Sequence, residues 1–424
     1  MLNLSFSKTF SNSEQPTRSE VVRTLALIVI AGFAIAVLYH FLISRFGYGY
    51  PYSTFLFRPE DRFNDFKNSL RCIDHSLGGP SWDPLMQSPY WKTGWPFITL
   101  LYYPFLPFGL NWGTAIFISL FVIVISMFSW INLEYLTIKQ RVFYSLIFSF
   151  FTYPSLFAVD RANAEMIVFA FLAIFLCCYR KHSHFFGLVA LGCAIALKAH
   201  PAVFLVLLAC DRKIKDLFFV GLLSIGLNLI AAATLPGGLS HNLSNSFSDT
   251  VSLYQKNYVI GNEGLKFGNS LWGVEKVALF CLNSSSAAIS ELGSTFTKLQ
   301  LPYLCFSIII FLLTCFYILY FKTEWWKRVA LLTFSMILLP YVSADYRLLH
   351  IYFPMFFFIN SKNRSNFTKY FIIMLGLLLI PKCYYHLPFC NEATIQIVLN
   401  PLIMVSVMLM IIWDDFLLRR RENC

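Results

Sequence analysis

The sequence predicts an all-α polytopic membrane protein, on three observations. Of its 424 residues, 57% are apolar and 13% are charged, against roughly 45–50% and 25% in soluble domains. The apolar residues gather into long runs, several near the ~20 residues that a helix needs to cross a hydrocarbon core. The basic residues between those runs fall mostly on one side. A soluble globular enzyme is excluded, because so much apolar surface cannot be kept out of water. A disordered chain and a disulfide scaffold fail on the same composition.

The elements follow in order. Residues 1–23 form a polar N-terminal tail with Arg18 and Arg23 next to the first run. That run, Thr24–Ile43, reads as a transmembrane helix, since no small-residue cleavage site marks it as a signal peptide. A long polar segment, 44–96, comes next. The run Phe97–Leu110 contains Pro104 and Pro107, and its 14 residues suit an interfacial or re-entrant segment. Six spans are expected at Trp112–Asn132, Val142–Val159, Ala164–Tyr179, Phe185–Leu197, Pro201–Cys210 and Leu217–Leu235. A second long polar segment covers 236–300. Five more spans are expected at Leu301–Phe321, Val329–Ser343, Tyr346–Ile359, Tyr370–Tyr384 and Thr394–Trp413, before a basic tail at 414–424. The expectation is one domain, 24–413, of about 12 transmembrane helices.

Lys and Arg favour the cytoplasmic side in short loops. With the N-terminus inside, inner segments hold 19 of the 33 basic residues and 9 of the 22 acidic ones. Both termini are then cytoplasmic, and the segments 44–96 and 236–300 are two large outer loops. The expected location is a bacterial inner membrane with a periplasmic active face. The net charge of +11 reports this topology, and no nucleic acid partner is expected. The inner loops leave no room for a nucleotide-binding domain, and no GxxxxGK[ST] phosphate loop is present. Most of the cysteines lie inside apolar runs; Cys383 and Cys390 flank the last outer loop and could pair. No Cys/His group has metal-ligand spacing, so neither metal nor cofactor is expected.

Ionisable residues at membrane depth are costly and mark candidate sites. Asp160, Arg161 and Asn163 sit at one outer turn, Lys198 and His200 at a second, and Asp345, Tyr346 and Arg347 at a third. The first outer loop adds Asp61 and Asp65. Cations suit a phosphate, and a carboxylate or imidazole can take the proton of an attacking hydroxyl. Together they fit an enzyme acting on a lipid-linked phosphate substrate. Simpler roles compete: Arg161 and Lys198 as snorkelling side chains, Asp160 with Arg161 as a structural ion pair, and span-end Tyr and Trp residues as an interfacial belt.

The order of short motifs resembles glycosyltransferase family 87. The motifs are Asp-Phe-Lys-Asn (Asp65–Asn68), Tyr-Tyr-Pro-Phe-Leu-Pro-Phe (102–108), Asp-Arg-Ala-Asn-Ala-Glu (160–165), the segment 187–201 ending Leu-Lys-Ala-His-Pro, and Gly-Asn-Ser-Leu-Trp-Gly (268–273). The resemblance spans about residues 20–360. It implies a GT-C-like helical bundle similar to the phosphatidylinositol mannoside mannosyltransferases of mycobacteria. It further implies a polyprenyl-phosphate-linked sugar donor, a glycolipid or glycan acceptor, and an inverting displacement with an Asp base. Carried onto this chain, Asp65 matches the base and Asp61 is the runner-up. Lys198, His200, Arg161 and Arg347 match donor-phosphate positions, and Asp160, Asn163, Asn269 and Tyr346 match substrate positions. The chain departs from the pattern at Ala162, where the family often has Gly, and at Phe105, where it often has Pro.

Two other classes compete. An O-antigen polymerase or ligase would depend on outer Arg residues more than on a first-loop Asp. A polyprenyl-linked sugar transporter would show internal repeats and midplane polar residues, whereas here the polar residues gather at one edge.

Overall fold

The first helix begins before its apolar run. The computed structural model describes residues 15–76, 95–180, 184–247, 251–282, 292–321, 323–382, 386–387 and 390–422. In it, Thr17 accepts a hydrogen bond from the Glu20 N–H at 3.3 Å, and the Glu20 carboxylate accepts from the Thr17 N–H at 2.7 Å. This reciprocal capping box starts the helix Arg18–Arg45, six residues before Thr24.

The chain is an all-α membrane protein. Among the described residues, five helical stretches are long and apolar enough to cross a bilayer: Arg18–Arg45, Pro96–Asn132, Ile214–Thr234, Gly293–Tyr320 and Gln396–Leu417. A sixth is the pair Ile138–Phe150 and Tyr153–Arg161, bent by 55°. The break falls where Thr152 precedes Tyr153-Pro154, and proline suits the first turn of a new helix. The stretch expected to be re-entrant instead runs into a span. Helix Pro96–Tyr102 passes through a 3-10 segment at Tyr103–Phe108, where Pro104 and Pro107 sit, to helix Gly109–Asn132. Gly109, at φ +67°, makes the corner without the strain a side chain would bring.

Several shorter apolar runs expected to be spans are helices of the protein interior. Every residue of Val329–Leu338 and of Tyr352–Ile359 is buried. By contrast Gly293–Tyr320 exposes Leu301, Ile308, Leu312, Leu313, Phe316 and Leu319, as a lipid-facing helix does. The helix Gln396–Glu422 runs past residue 413 into the basic tail. At that end the Lys327 ammonium is buried against Asp414 at 2.7 Å and against Asp415, which also accepts from the Tyr317 hydroxyl at 2.7 Å.

The opposite end carries a polar lock. Asp345, fully buried, accepts from Asn269 Nδ2 at 2.7 Å and also from Tyr153 and Gln396. Asn400 donates to Asn269 Oδ1 at 2.7 Å, and the Asn269 N–H donates to the Ser343 carbonyl at 2.7 Å. Burial pushes the Asp345 carboxyl up to about 6 despite these hydrogen bonds. The lock joins the second polar segment, the turn before Tyr346 and the last long helix. A short antiparallel strand pair, His386–Leu387 with Cys390–Thr394, lies beside it, with Thr394 donating to the Lys266 carbonyl at 2.7 Å. Cys383, and with it the expected Cys383–Cys390 pairing, lies outside the described residues.

Candidate active site

The site is organised by one residue in a left-handed conformation. Helix Tyr153–Arg161 ends at Ala162, with φ 48° and ψ 47°, and Asn163 Oδ1 accepts from the Glu165 N–H at 2.9 Å to start helix Glu165–Arg180. The reversal brings Arg161 and Asn163 onto a single carboxylate, Asp65. Arg161 Nη2 pairs with Asp65 Oδ1, and Asn163 Nδ2 donates to Asp65 Oδ2 at 2.7 Å. Left-handed backbone costs a non-glycine residue roughly 1–2 kcal/mol, which explains why glycine suits this position. Ala162→Gly is expected to keep fold and activity. Ala162→Val puts a β-branched side chain into a buried left-handed turn. Its expected cost is about 2–4 kcal/mol in thermal melts, with sugar transfer down by about tenfold or more as Arg161 and Asn163 leave Asp65.

Asp65 opens helix Asn64–Ser76. Phe66 anchors that helix, stacking on Phe117 with ring centroids 4.4 Å apart and meeting Tyr102 edge-on at 5.0 Å. Just before it, Phe63 stands at φ +63° while its N–H donates to the Asp160 carbonyl at 2.7 Å. The buried Asp160 side chain accepts from the Phe57 N–H at 3.1 Å and lies 3.5 Å from Arg62 Nε. Asp160 therefore fastens the first polar segment to the bundle. The Asp61 side chain accepts from Asn64 Nδ2 at 3.3 Å, and only its backbone carbonyl reaches Arg161, at 3.1 Å. Of the two candidate bases, Asp65 alone joins the cluster through its carboxylate. Each Asp65 oxygen keeps a lone pair for a further donor.

Asn163 continues the chain inward. Its Oδ1 also accepts from Lys198 Nζ at 2.9 Å, and Lys198 lies 2.6 Å from Glu165 Oε2. The other Glu165 oxygen is 2.8 Å from His200 Nε2 and 2.7 Å from His350 Nε2. Glu165 and His350 are fully buried. These donor atoms lie within 4.8 Å of one another, a two-histidine, one-carboxylate set that a divalent ion could use. Lys198 already supplies Glu165 with the positive charge such an ion would bring.

Arg347 differs from the other cations. Its Nε and Nη1 are buried with no hydrogen-bond partner, and it forms no ion pair among the described residues. Its neighbour Tyr346 lies under Lys198, whose Nζ is 4.9 Å from the ring centroid. Burial pushes the Tyr346 phenol up; Asp65 and Glu165 add to that, while Arg347 and Arg161 oppose it. One hydroxyl thus sits in the field of the whole cluster. From the second polar segment, Tyr254 stacks on Tyr258 at 5.6 Å. Burial pushes the Tyr254 phenol up to about 12, and Arg347 acts against it. Asn269 is fully buried in the lock with Asp345 and Asn400 and makes none of its hydrogen bonds to the Asp65 cluster.

The structure brings together Asp65, Arg161, Asn163, Lys198, His200, Tyr346 and Arg347. It adds Glu165 and His350, which sequence reasoning did not single out. Both carry the same signal as the others, an ionisable residue beside or within an apolar run. The profile of glycosyltransferase family 87 matches residues 95–342, more than half of the chain. The match includes Arg161, Asn163, Glu165, Lys198 and His200, and it leaves Asp65, Arg347 and His350 outside. No curated protein and no solved structure matches the chain.

Proposed function

Because the chain belongs to glycosyltransferase family 87, and so is a membrane glycosyltransferase, we propose that it moves a hexose, with mannose as the expected sugar, from a polyprenyl-phosphate carrier to an acceptor hydroxyl. The observation that supports this donor most is the charge state of the site. Arg161 is matched by Asp65 and Lys198 by Glu165, whereas Arg347 has no ion-pair partner among the described residues. Two of the three guanidinium nitrogens of this half-buried residue lie out of water without an acceptor, a cost that an anionic ligand would relieve. A sugar phosphodiester carries one negative charge, the number left unmatched.

In this reading the donor phosphate lies against Arg347, with Tyr346 and the Tyr254–Tyr258 pair beside the sugar. Asp65 accepts the proton of the acceptor hydroxyl. The hydroxyl oxygen bonds to the anomeric carbon as the bond from that carbon to the phosphate oxygen breaks, and the leaving phosphate keeps the electron pair. One displacement inverts the anomeric centre. Arg161 and Asn163 hold the base from behind, and Arg347 meets the charge that grows on the leaving group. Glycolipid or glycan acceptors would approach from the water side of Asp65.

Incubation of the purified protein with a panel of polyprenyl-phosphate sugars and a glycolipid acceptor tests the proposal. Release of sugar from one carrier, with an inverted linkage in the product, is the expected result. Turnover with nucleotide sugars but with no prenyl-phosphate sugar rejects it.

A further inference from the structure

We propose that Glu165 sets donor selectivity, by cancelling the charge of Lys198 so that the site offers one net positive charge and favours a monophosphate-linked carrier over a pyrophosphate-linked one. The inference rests on the donor reading above, which counts Glu165 only as the partner of Lys198, and gives that pairing a role in selectivity.

Three features carry it. Glu165 is fully buried, so its charge acts through little screening. It touches a side chain from each of two other parts of the fold, Lys198 and His200 in the turn after helix His184–Leu197, and His350 in the 3-10 segment that also carries Arg347. Asn163 bridges Lys198, at 2.9 Å, to Asp65, at 2.7 Å. The formal sum over Asp65, Arg161, Glu165, Lys198 and Arg347 is +1.

That sum discriminates because two opposing quantities scale differently. Attraction of a ligand to the site grows linearly with ligand charge, whereas the desolvation of the ligand grows with the square of its charge. A partly buried +1 site therefore suits a monoanion. Raising the site to +2 helps a dianion more than a monoanion, and lowering it to zero hurts the dianion more. Glu165 does not need to touch the donor for this. It acts through Lys198 as a positioning and charge-setting residue.

The test uses the full-length protein in nanodiscs at low salt and two probes, a short-chain prenyl-phosphate mannose and the matching prenyl-pyrophosphate mannose. The readout is the ratio of their dissociation constants. The wild type is expected to prefer the monophosphate. Glu165→Gln should shift the ratio towards the pyrophosphate by about tenfold or more. Lys198→Met should shift it the other way, and the double variant Glu165→Gln/Lys198→Met should return it to near the wild-type value. A merely structural role for Glu165 predicts weaker binding of both probes with no such compensation. If Glu165→Gln fails to fold, the direction of the Lys198→Met shift decides alone. An unchanged ratio in the folded variants overturns the inference. Failure of the wild type to bind either probe overturns the donor reading instead.

Discussion

Replacing Asp65 by Asn is expected to reduce sugar transfer by about a thousandfold, within the usual range for loss of a general base. Donor binding should be no weaker than in the wild type. Asparagine preserves the shape of the helix start and keeps an acceptor oxygen for Arg161 or Asn163, but it cannot take a proton from the acceptor hydroxyl. The control is Asp61→Asn. The Asp61 carboxylate touches Asn64 and stands apart from the Arg161–Asn163 fork, so this variant should stay within about threefold of wild-type kcat. The two variants, compared at saturating donor, separate a catalytic carboxylate from a merely acidic loop. Full activity in Asp65→Asn removes it as the base; a larger loss in Asp61→Asn moves that role to Asp61.

Arg347→Gln is expected to act in two opposite directions. Donor affinity should fall by about a hundredfold, since truncating one member of a buried charge pair costs roughly 2–5 kcal/mol. The ligand-free protein should at the same time melt at a higher temperature, because two guanidinium nitrogens that are buried without acceptors are removed. A structural arginine would behave otherwise, with stability and binding falling together. Thermal melts with and without a prenyl-phosphate probe distinguish the outcomes. The donor should stabilise the wild type by mass action and leave Arg347→Gln almost unmoved. Equal stabilisation of both proteins would reject Arg347 as the phosphate anchor.

The sequence made the class and much of the site legible, for different reasons. Arg18–Arg45, Ile214–Thr234 and Gly293–Tyr320 stood out because a bilayer demands one length of apolar helix. Runs such as Val329–Leu338 and Tyr352–Ile359 satisfy the same hydropathy pattern without that length. A helix wrapped by other helices meets surroundings as apolar as lipid, so composition does not distinguish the two. Asp65, Arg161 and Lys198 stand out because charge is rare in such a chain, and these three from separate stretches converge, with Asn163 two residues from Arg161. Glu165, two residues from Asn163, differs in that its partners His200 and His350 are distant in sequence and meet it only in the fold. Asn269 was placed at the substrate by motif order alone, and only tertiary packing showed its amide turned to Asp345 and Asn400. The left-handed turn at Ala162 could be suspected from the resemblance, since glycine is at home there; its effect on Asp65 required the fold.

The burial of Val329–Leu338 and Tyr352–Ile359 separates load from precision. When a bilayer thins or thickens, the helices that face its acyl chains adjust by tilting. The inner helices have no such contact, and Tyr346, Arg347 and His350 are carried on the segment between them. The rim is thus suspended from a shielded mast, and lipid variation reaches it damped by an intervening sleeve of side chains.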